Sequence, residues 1–139
     1  MRAAYLDSSV VLRVVLGQPD NLAALLSEVE PFTSVLTQVE CLRALDRLRF
    51  ADPSLSEALV DKWALLARVF RSLSVVQLGP RILSGAGQPL PLPLATLDAL
   101  HLATAGVVRE RRRPDLAFAT HDRQLGRAAA AMGFEVIGV

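Results

Sequence analysis

Four carboxylates stand where apolar stretches give way to small or polar residues. Asp7 follows "AAYL", Glu40 comes shortly after "FTSV", Asp98 heads "LDALHLATA", and Asp122 comes shortly after "LAFAT". Gathered together they would repel: two carboxylates about 5 Å apart cost roughly 3 kcal/mol at an effective dielectric of about 20. Helix N-termini and arginines offset part of that; a divalent cation offsets more. An all-carboxylate donor set favours hard, oxygen-seeking ions, Mg2+ or Mn2+, over zinc. Such an ion binds phosphate oxygens, activates a water and stabilises a leaving oxygen. Each acid also has a local explanation. Asp7 and Asp122 can cap helices. "TQVE" (37–40) reads as a capping box, with Thr37 as the cap and Glu40 reaching back. Asp98 complements the positive end of a helix starting after Thr96. The residues alone leave both readings open: four separate helix starts, or a metal-assisted phosphoryl-transfer or hydrolysis site. Capping does not require the four to converge.

The elements that would position them alternate along the chain. Ala3 to Leu6 reads as a buried strand, and a helix from about Ser9 to Leu16 stops at Gly17. A second helix spans about Asn21 to Val29, and "PFTSVL" (31–36) is strand-like. Val39, Leu42, Leu45 and Leu48 have helical spacing, which puts Glu40 in the first turn of a third helix. Asp52 and Pro53 open another helix over 52–73, before a strand at 74–78. "SGAGQPLPLP" (84–93) is the Gly/Pro-rich stretch and is expected to be a loop. The Asp98 helix, the strand at 115–120, the Asp122 helix ending at Gly133 and the strand "FEVIGV" complete the series. Strands alternating with helices predict an α/β fold, a central parallel sheet with helices on both faces. Its ligand crevice lies beyond the carboxyl ends of the strands, which is where Asp7 falls.

Length and composition bound the rest. The 139 residues suit a single domain, and 52% apolar content suffices for a core. No run of about 18 apolar residues suggests a membrane span, and the few residues between Arg2 and Asp7 are too short for a signal peptide. Cys41 is the only cysteine, which fits a reducing compartment and a buried apolar role. A soluble cytoplasmic domain is the expectation. Net charge is +1, and every basic residue except Lys62 and the histidines is arginine. This suits bidentate phosphate recognition, although a general bias toward Arg and Ala gives the same composition.

"YLDSSVVLR" (5–13), "TQVECLRAL" (37–45), "LDALHLATA" (97–105) and "FATHDRQLGRAA" (118–129) together resemble the PIN-domain ribonucleases, above all the VapC-type toxins of bacterial toxin–antitoxin pairs. The resemblance implies a three-layer α/β/α fold and Mg2+- or Mn2+-dependent cleavage of RNA. It carries the acidic cluster onto Asp7, Glu40, Asp98 and Asp122. Asp7 and Asp98 match direct metal ligands, Asp122 completes the set or holds a metal-bound water, and Ser9 and Thr120 support the acids. It also implies a homodimer and a cognate antitoxin that blocks the site. The Pro-rich segment before Asp98 departs from the family pattern.

Other residues bear on the site less directly. Arg43 shares a helix face with Glu40 and could neutralise it, touch RNA phosphate or form an ordinary surface pair. Arg13 and Arg123 fall near the expected rim. "RERRR" (109–113) suggests a nucleic-acid patch, but Arg111 lies 13 residues after Asp98, roughly 20 Å along a helix at about 1.5 Å per residue. That cluster is expected to complement a helix C-terminus and stay solvated. His101, one turn from Asp98, could join a metal site but fits better as a hydrogen-bonded core or dimer residue; His121 is expected to point away from its neighbours. Two rival readings remain. Aspartyl phosphatase or phospho-receiver chemistry wants a late lysine, and the phosphatases a second acid two after the first, where Ser9 stands. A catalytically weak PIN-like module would bind RNA or regulate without cutting.

Overall fold

The computed structural model describes residues 1–139. Five strands, β1 (Arg2–Leu6), β2 (Val29–Ser34), β3 (Ser74–Val76), β4 (Ala117–Ala119) and β5 (Val136–Ile137), form one sheet in the order β3-β2-β1-β4-β5. Every neighbouring pair is parallel. The helices are α1 (Ser8–Val15), α2 (Ala23–Glu28), α3 (Val35–Ala51), α4 (Ser56–Arg71), α5 (Pro80–Ala86), α6 (Thr96–Arg111) and α7 (Arg123–Ala131).

Alternation along β1 sets the layers. Ala4 and Leu6 join Val10, Cys41, Leu45 and Leu66 on one face, where α1, α3 and α4 pack. Ala3 and Tyr5 join Leu102, Ala105 and Leu125 on the other, under α6 and α7. A strand buried on both faces reads as a continuous apolar run, which is why "AAYL" shows no polar alternation. The result is the expected three-layer α/β/α sandwich around a parallel sheet.

Topology then locates the crevice. The chain builds outward from β1 through β2 to β3, then returns to the opposite side of β1 as β4. The reversal falls between β1 and β4, where open parallel sheets form their ligand crevice at the strands' carboxyl ends. One residue past β1, the Asp7 N–H still donates to the Ala119 carbonyl at 3.2 Å, so these two strand tips stay together.

Several elements differ from the sequence reading. β2 starts at Val29 and ends at Ser34, two residues early at each end, because Arg2 pairs with Val29 and Ser34 caps the next helix by accepting from the Leu36 N–H. The "TQVE" capping box therefore does not form. Thr37 lies inside α3, buried, with its hydroxyl on Thr33 at 2.7 Å, and Glu40 falls in the second turn rather than the first. Residues 52–73 split into a short 3-10 turn at Pro53–Leu55 and then α4. The Gly/Pro-rich stretch is a loop only from residue 87 on. Pro80 sits at the start of α5, where its fixed φ suits a helix. Gly85 lies within α5, where a Cβ would meet Ala103 at 3.6 Å, so α5 and α6 approach closely there. Ser34→Ala should cost about 1 kcal/mol, the usual loss of an N-cap. Urea denaturation checks it.

Candidate active site

Asp7 is nearly sealed from solvent, with 4% of its surface exposed. Its Oδ1 accepts from the Val10 N–H at 3.2 Å, capping α1, and from Ser9 Oγ at 2.6 Å. Its Oδ2 accepts from Thr120 Oγ1 at 2.7 Å. The two hydroxyls then reach the opposite strand end: Thr120 Oγ1 accepts from the Asp122 N–H and Ser9 Oγ from the His121 N–H, both at 3.0 Å. Capping and site-building are thus not alternatives at Asp7; one carboxylate does both. Burial pushes its carboxyl above the ordinary range, and the Ser9 and Thr120 hydrogen bonds pull part of that back.

Asp122 also caps its helix, accepting from the Leu125 N–H at 3.0 Å, and is exposed. Asp98 stands in the first turn of α6, half-buried, but no side chain caps that helix. Its carboxyl is raised first by burial, then by the charges of Asp122 and Asp7, with Glu40 adding to them and His101 opposing. Asp98 therefore lies close enough to the other three acids to feel their charges.

Glu40 reaches the same rim from α3. Its Oε1 lies 2.6 Å from His101 Nε2, and its Oε2 accepts from Ser8 Oγ at 3.1 Å. His101 is 1% exposed, and its Nδ1 lies 2.6 Å from the Tyr5 hydroxyl. Burial raises the Tyr5 phenol well above its ordinary value, so it remains a donor. His101 is thus a hydrogen-bonded core residue, and one that touches a candidate acid. Tyr5 and Ser8 were not singled out from sequence. Tyr5 and His101 are 96 residues apart, and no spacing signals the contact.

No three carboxylate, imidazole or thiol groups stand close enough to form a ready-made ion cage. Mg2+ commonly takes one or two protein carboxylates and keeps water in its other positions. An all-oxygen rim in which Asp98 is raised by burial and by the charges of the other three acids fits such an ion.

The arginines sort clearly. Arg43 pairs with Asp46 at 2.5 Å on the surface of α3, not with Glu40. Arg13 Nη1 lies 3.3 Å from His121 Nδ1, and Arg123 is exposed. The "RERRR" segment is not wholly solvated. Arg109 stacks 3.9 Å over Phe134, and Arg113 binds Glu30, Asp115 and the Met1 carbonyl. Those arginines are spent on structure. Cys41 is fully buried, its thiol pushed up to about 12 mainly by burial. The largest concavity, about 700 Å3, is lined by Leu83, Leu90, Leu92 and Leu94 beside α6 and includes none of the four acids. A smaller groove of about 260 Å3 does reach one: it is lined by Leu36, Val39, Glu40, Arg43, Arg47 and Leu97.

A parallel sheet with acids at the switch between β1 and β4, joined by two more from neighbouring helices, defines a class of α/β protein with one acidic rim. The PIN domain model matches residues 4–131, and the chain belongs to the PIN-domain family. Within it the chain is of the VapC type. It is 35% identical over 141 residues to Ribonuclease VapC46 of Mycobacterium tuberculosis (strain ATCC 25618 / H37Rv), covering 99% of this chain and 98% of that protein. The crystal structure of PAE2754 from Pyrobaculum aerophilum shares the fold, with a TM-score of 0.60 at 18% identity over 99% of this chain and 84% of that one. No helix is long and apolar enough to cross a membrane.

Proposed function

We propose that this chain is a metal-dependent endoribonuclease, the toxin of a type II toxin–antitoxin pair, hydrolysing RNA phosphodiester bonds in the cytoplasm. The observation that carries the reading is the acidic rim: Thr120 links Asp7 to the Asp122 turn at the switch crevice, and Asp98, in the first turn of α6, is raised first by burial and then by the charges of Asp122, Asp7 and Glu40. Mutual repulsion of this kind is relieved by a cation. Asp7, Asp98 and Asp122 would hold Mg2+ or Mn2+, which when bound supplies charge to phosphate oxygens and lowers the pKa of water. The chain's own groups do the rest. Ser9 and Thr120 fix the Asp7 carboxylate, and Glu40 or Asp122 orients the attacking water. A homodimer and a cognate antitoxin belong to the same reading.

The groove beside Glu40 suits a single RNA strand, with Arg43 and Arg47 for phosphates and Val39 and Leu97 for sugar or base. Arg43→Ala and Arg47→Ala should each weaken RNA binding. Each should also flatten its salt dependence by about 0.7 in log–log slope, the value for one lost single-strand phosphate contact. Melting should barely change, because the Arg43–Asp46 pair is exposed. Fluorescence anisotropy across a salt series, in an Asp98→Asn background, measures this.

The test of the function is incubation of purified protein with a mixed RNA pool in Mg2+, Mn2+ or chelator. Cleavage with either ion and none in chelator supports the reading. Intact RNA under every condition would favour a PIN-fold binding module.

A further inference from the structure

We propose that His101 is a positioning residue: it fixes the Glu40 carboxylate in its working orientation, and the Tyr5 hydroxyl, on the other imidazole nitrogen, supports the same tautomer. The inference rests on the nuclease reading above and goes beyond it, because neither side chain belongs to the acidic set.

The first argument is how each acid is held. Asp7 and Asp122 are each oriented by a backbone N–H of the helix they cap. Glu40 lies in the second turn of α3 and has no such anchor. Its two oxygens are held instead by side chains from two other elements, His101 of α6 at 2.6 Å and Ser8 of α1 at 3.1 Å. Two anchors restrain a side chain that would otherwise sample several rotamers.

The second argument is proton accounting. An ionised carboxylate only accepts, so Nε2 must carry the hydrogen that faces Glu40 Oε1. In the neutral ring Nδ1 is then the acceptor, and the Tyr5 hydroxyl, 2.6 Å away, is placed to donate to it. Every proton in the row has a place, and the row ends at Glu40.

The third is what packing alone would require. The Tyr5 ring stacks on Phe118 with centroids 5.3 Å apart, a contact phenylalanine would also make. Only the hydroxyl distinguishes tyrosine there, and it meets His101, with Thr104 and the Ser34 backbone also against it. His101 is itself buried, on the same helix as core positions Leu102 and Ala105. Buried polar groups are unfavourable unless paired, and the ring nitrogens of His101 pair with Tyr5 on one side and with Glu40, at the rim, on the other. Partners that orient a catalytic ligand commonly contribute about 10- to 100-fold when removed.

The test measures kcat and KM on a short RNA for wild type, His101→Leu and Tyr5→Phe, each also in a Glu40→Ala background. His101→Leu should lower kcat about 10- to 100-fold with little change in KM; Tyr5→Phe should lower it less. Neither should lower the residual rate once Glu40 is absent, because there is no carboxylate left to orient. A merely structural histidine would lower both backgrounds alike, and that result, or an unchanged kcat in His101→Leu, overturns the inference. Should His101→Leu not fold, 15N NMR of the His101 ring decides. The wild type should show the Nε2–H tautomer and Glu40→Ala a weaker preference for it, whereas Nδ1–H in the wild type, alone or beside Nε2–H, overturns the assignment. A folded wild type that cleaves no RNA would overturn the nuclease reading itself, and the NMR result separates the two failures.

Discussion

Asp7→Asn is expected to reduce RNA cleavage about a thousandfold while the fold stands, and Asp98→Asn to do the same. Metal-supplied stabilisation is worth several kcal/mol, and each ~1.4 kcal/mol is a factor of ten. The fold survives because asparagine can satisfy the same partners. Its Oδ1 takes the hydrogen bonds of Ser9 and Val10, and its Nδ2 donates to Thr120 Oγ1, which retains a lone pair beside the Asp122 N–H. Stability should even rise near neutrality. Both carboxyls titrate above their ordinary value of 3.8 in the folded chain. Between 3.8 and the raised folded value the native state binds more protons than the unfolded one, so wild-type stability falls as pH rises through that window and stays lower above it. Asparagine does not titrate. Each variant should therefore melt higher than wild type at neutral pH in chelator, with that gain disappearing below pH 3.8. Wild-type cleavage by either variant would remove that residue from the site.

Gly138→Ala is the substitution expected to damage the fold most for the least change in volume. Gly138 has φ +104°, and a Cβ there would lie 2.5 Å from the Thr120 carbonyl oxygen. That oxygen cannot retreat freely. Thr120 donates its N–H to the Ile137 carbonyl at 3.0 Å and its hydroxyl to Asp7 at 2.7 Å. The strained φ costs about 1–3 kcal/mol, and the clash brings the expected loss to roughly 2–4 kcal/mol. Cleavage should fall with it, because Thr120 holds Asp7. Gly126→Ala is the control. A Cβ there also meets an atom at 2.6 Å, but that atom is a side-chain methyl of Val139, which is 56% exposed and can turn toward solvent. Alanine in α7 recovers about 1 kcal/mol of helix propensity, so the net change should be small. Urea unfolding of the two variants should give Gly138→Ala well below Gly126→Ala; equal midpoints would contradict the argument.

The sheet and the acids near its strand ends were legible because both follow from short-range patterns. A two-face-buried strand announces itself as an apolar run, and parallel strands deliver whatever follows them to one edge. Asp7 and Asp122 were therefore placeable from local sequence. Glu40 was legible as a residue but not in its setting, since "TQVE" satisfies the capping-box pattern and Ser34, three residues before Thr37, takes the cap. The α5 helix was hidden because Gly85 looks like a breaker, and the α6 surface it packs against, at Ala103, lies elsewhere in the sequence. The Tyr5–His101–Glu40 row was not legible at all. It joins β1, α6 and α3 across the sheet's edge, and only the packed layers bring those side chains together.

The stitch across the β1–β4 crevice has one more consequence. The amides of His121 and Asp122 donate not to a carbonyl of the sheet but to the hydroxyls of Ser9 and Thr120, which themselves lean on Asp7. Their protection from solvent deuterium therefore depends on the site being assembled, not merely on the sheet being formed. Those two hydrogens are a built-in gauge: slow exchange reports a closed acidic corner, and faster exchange there than in β4 reports a corner that opens while the molecule remains folded.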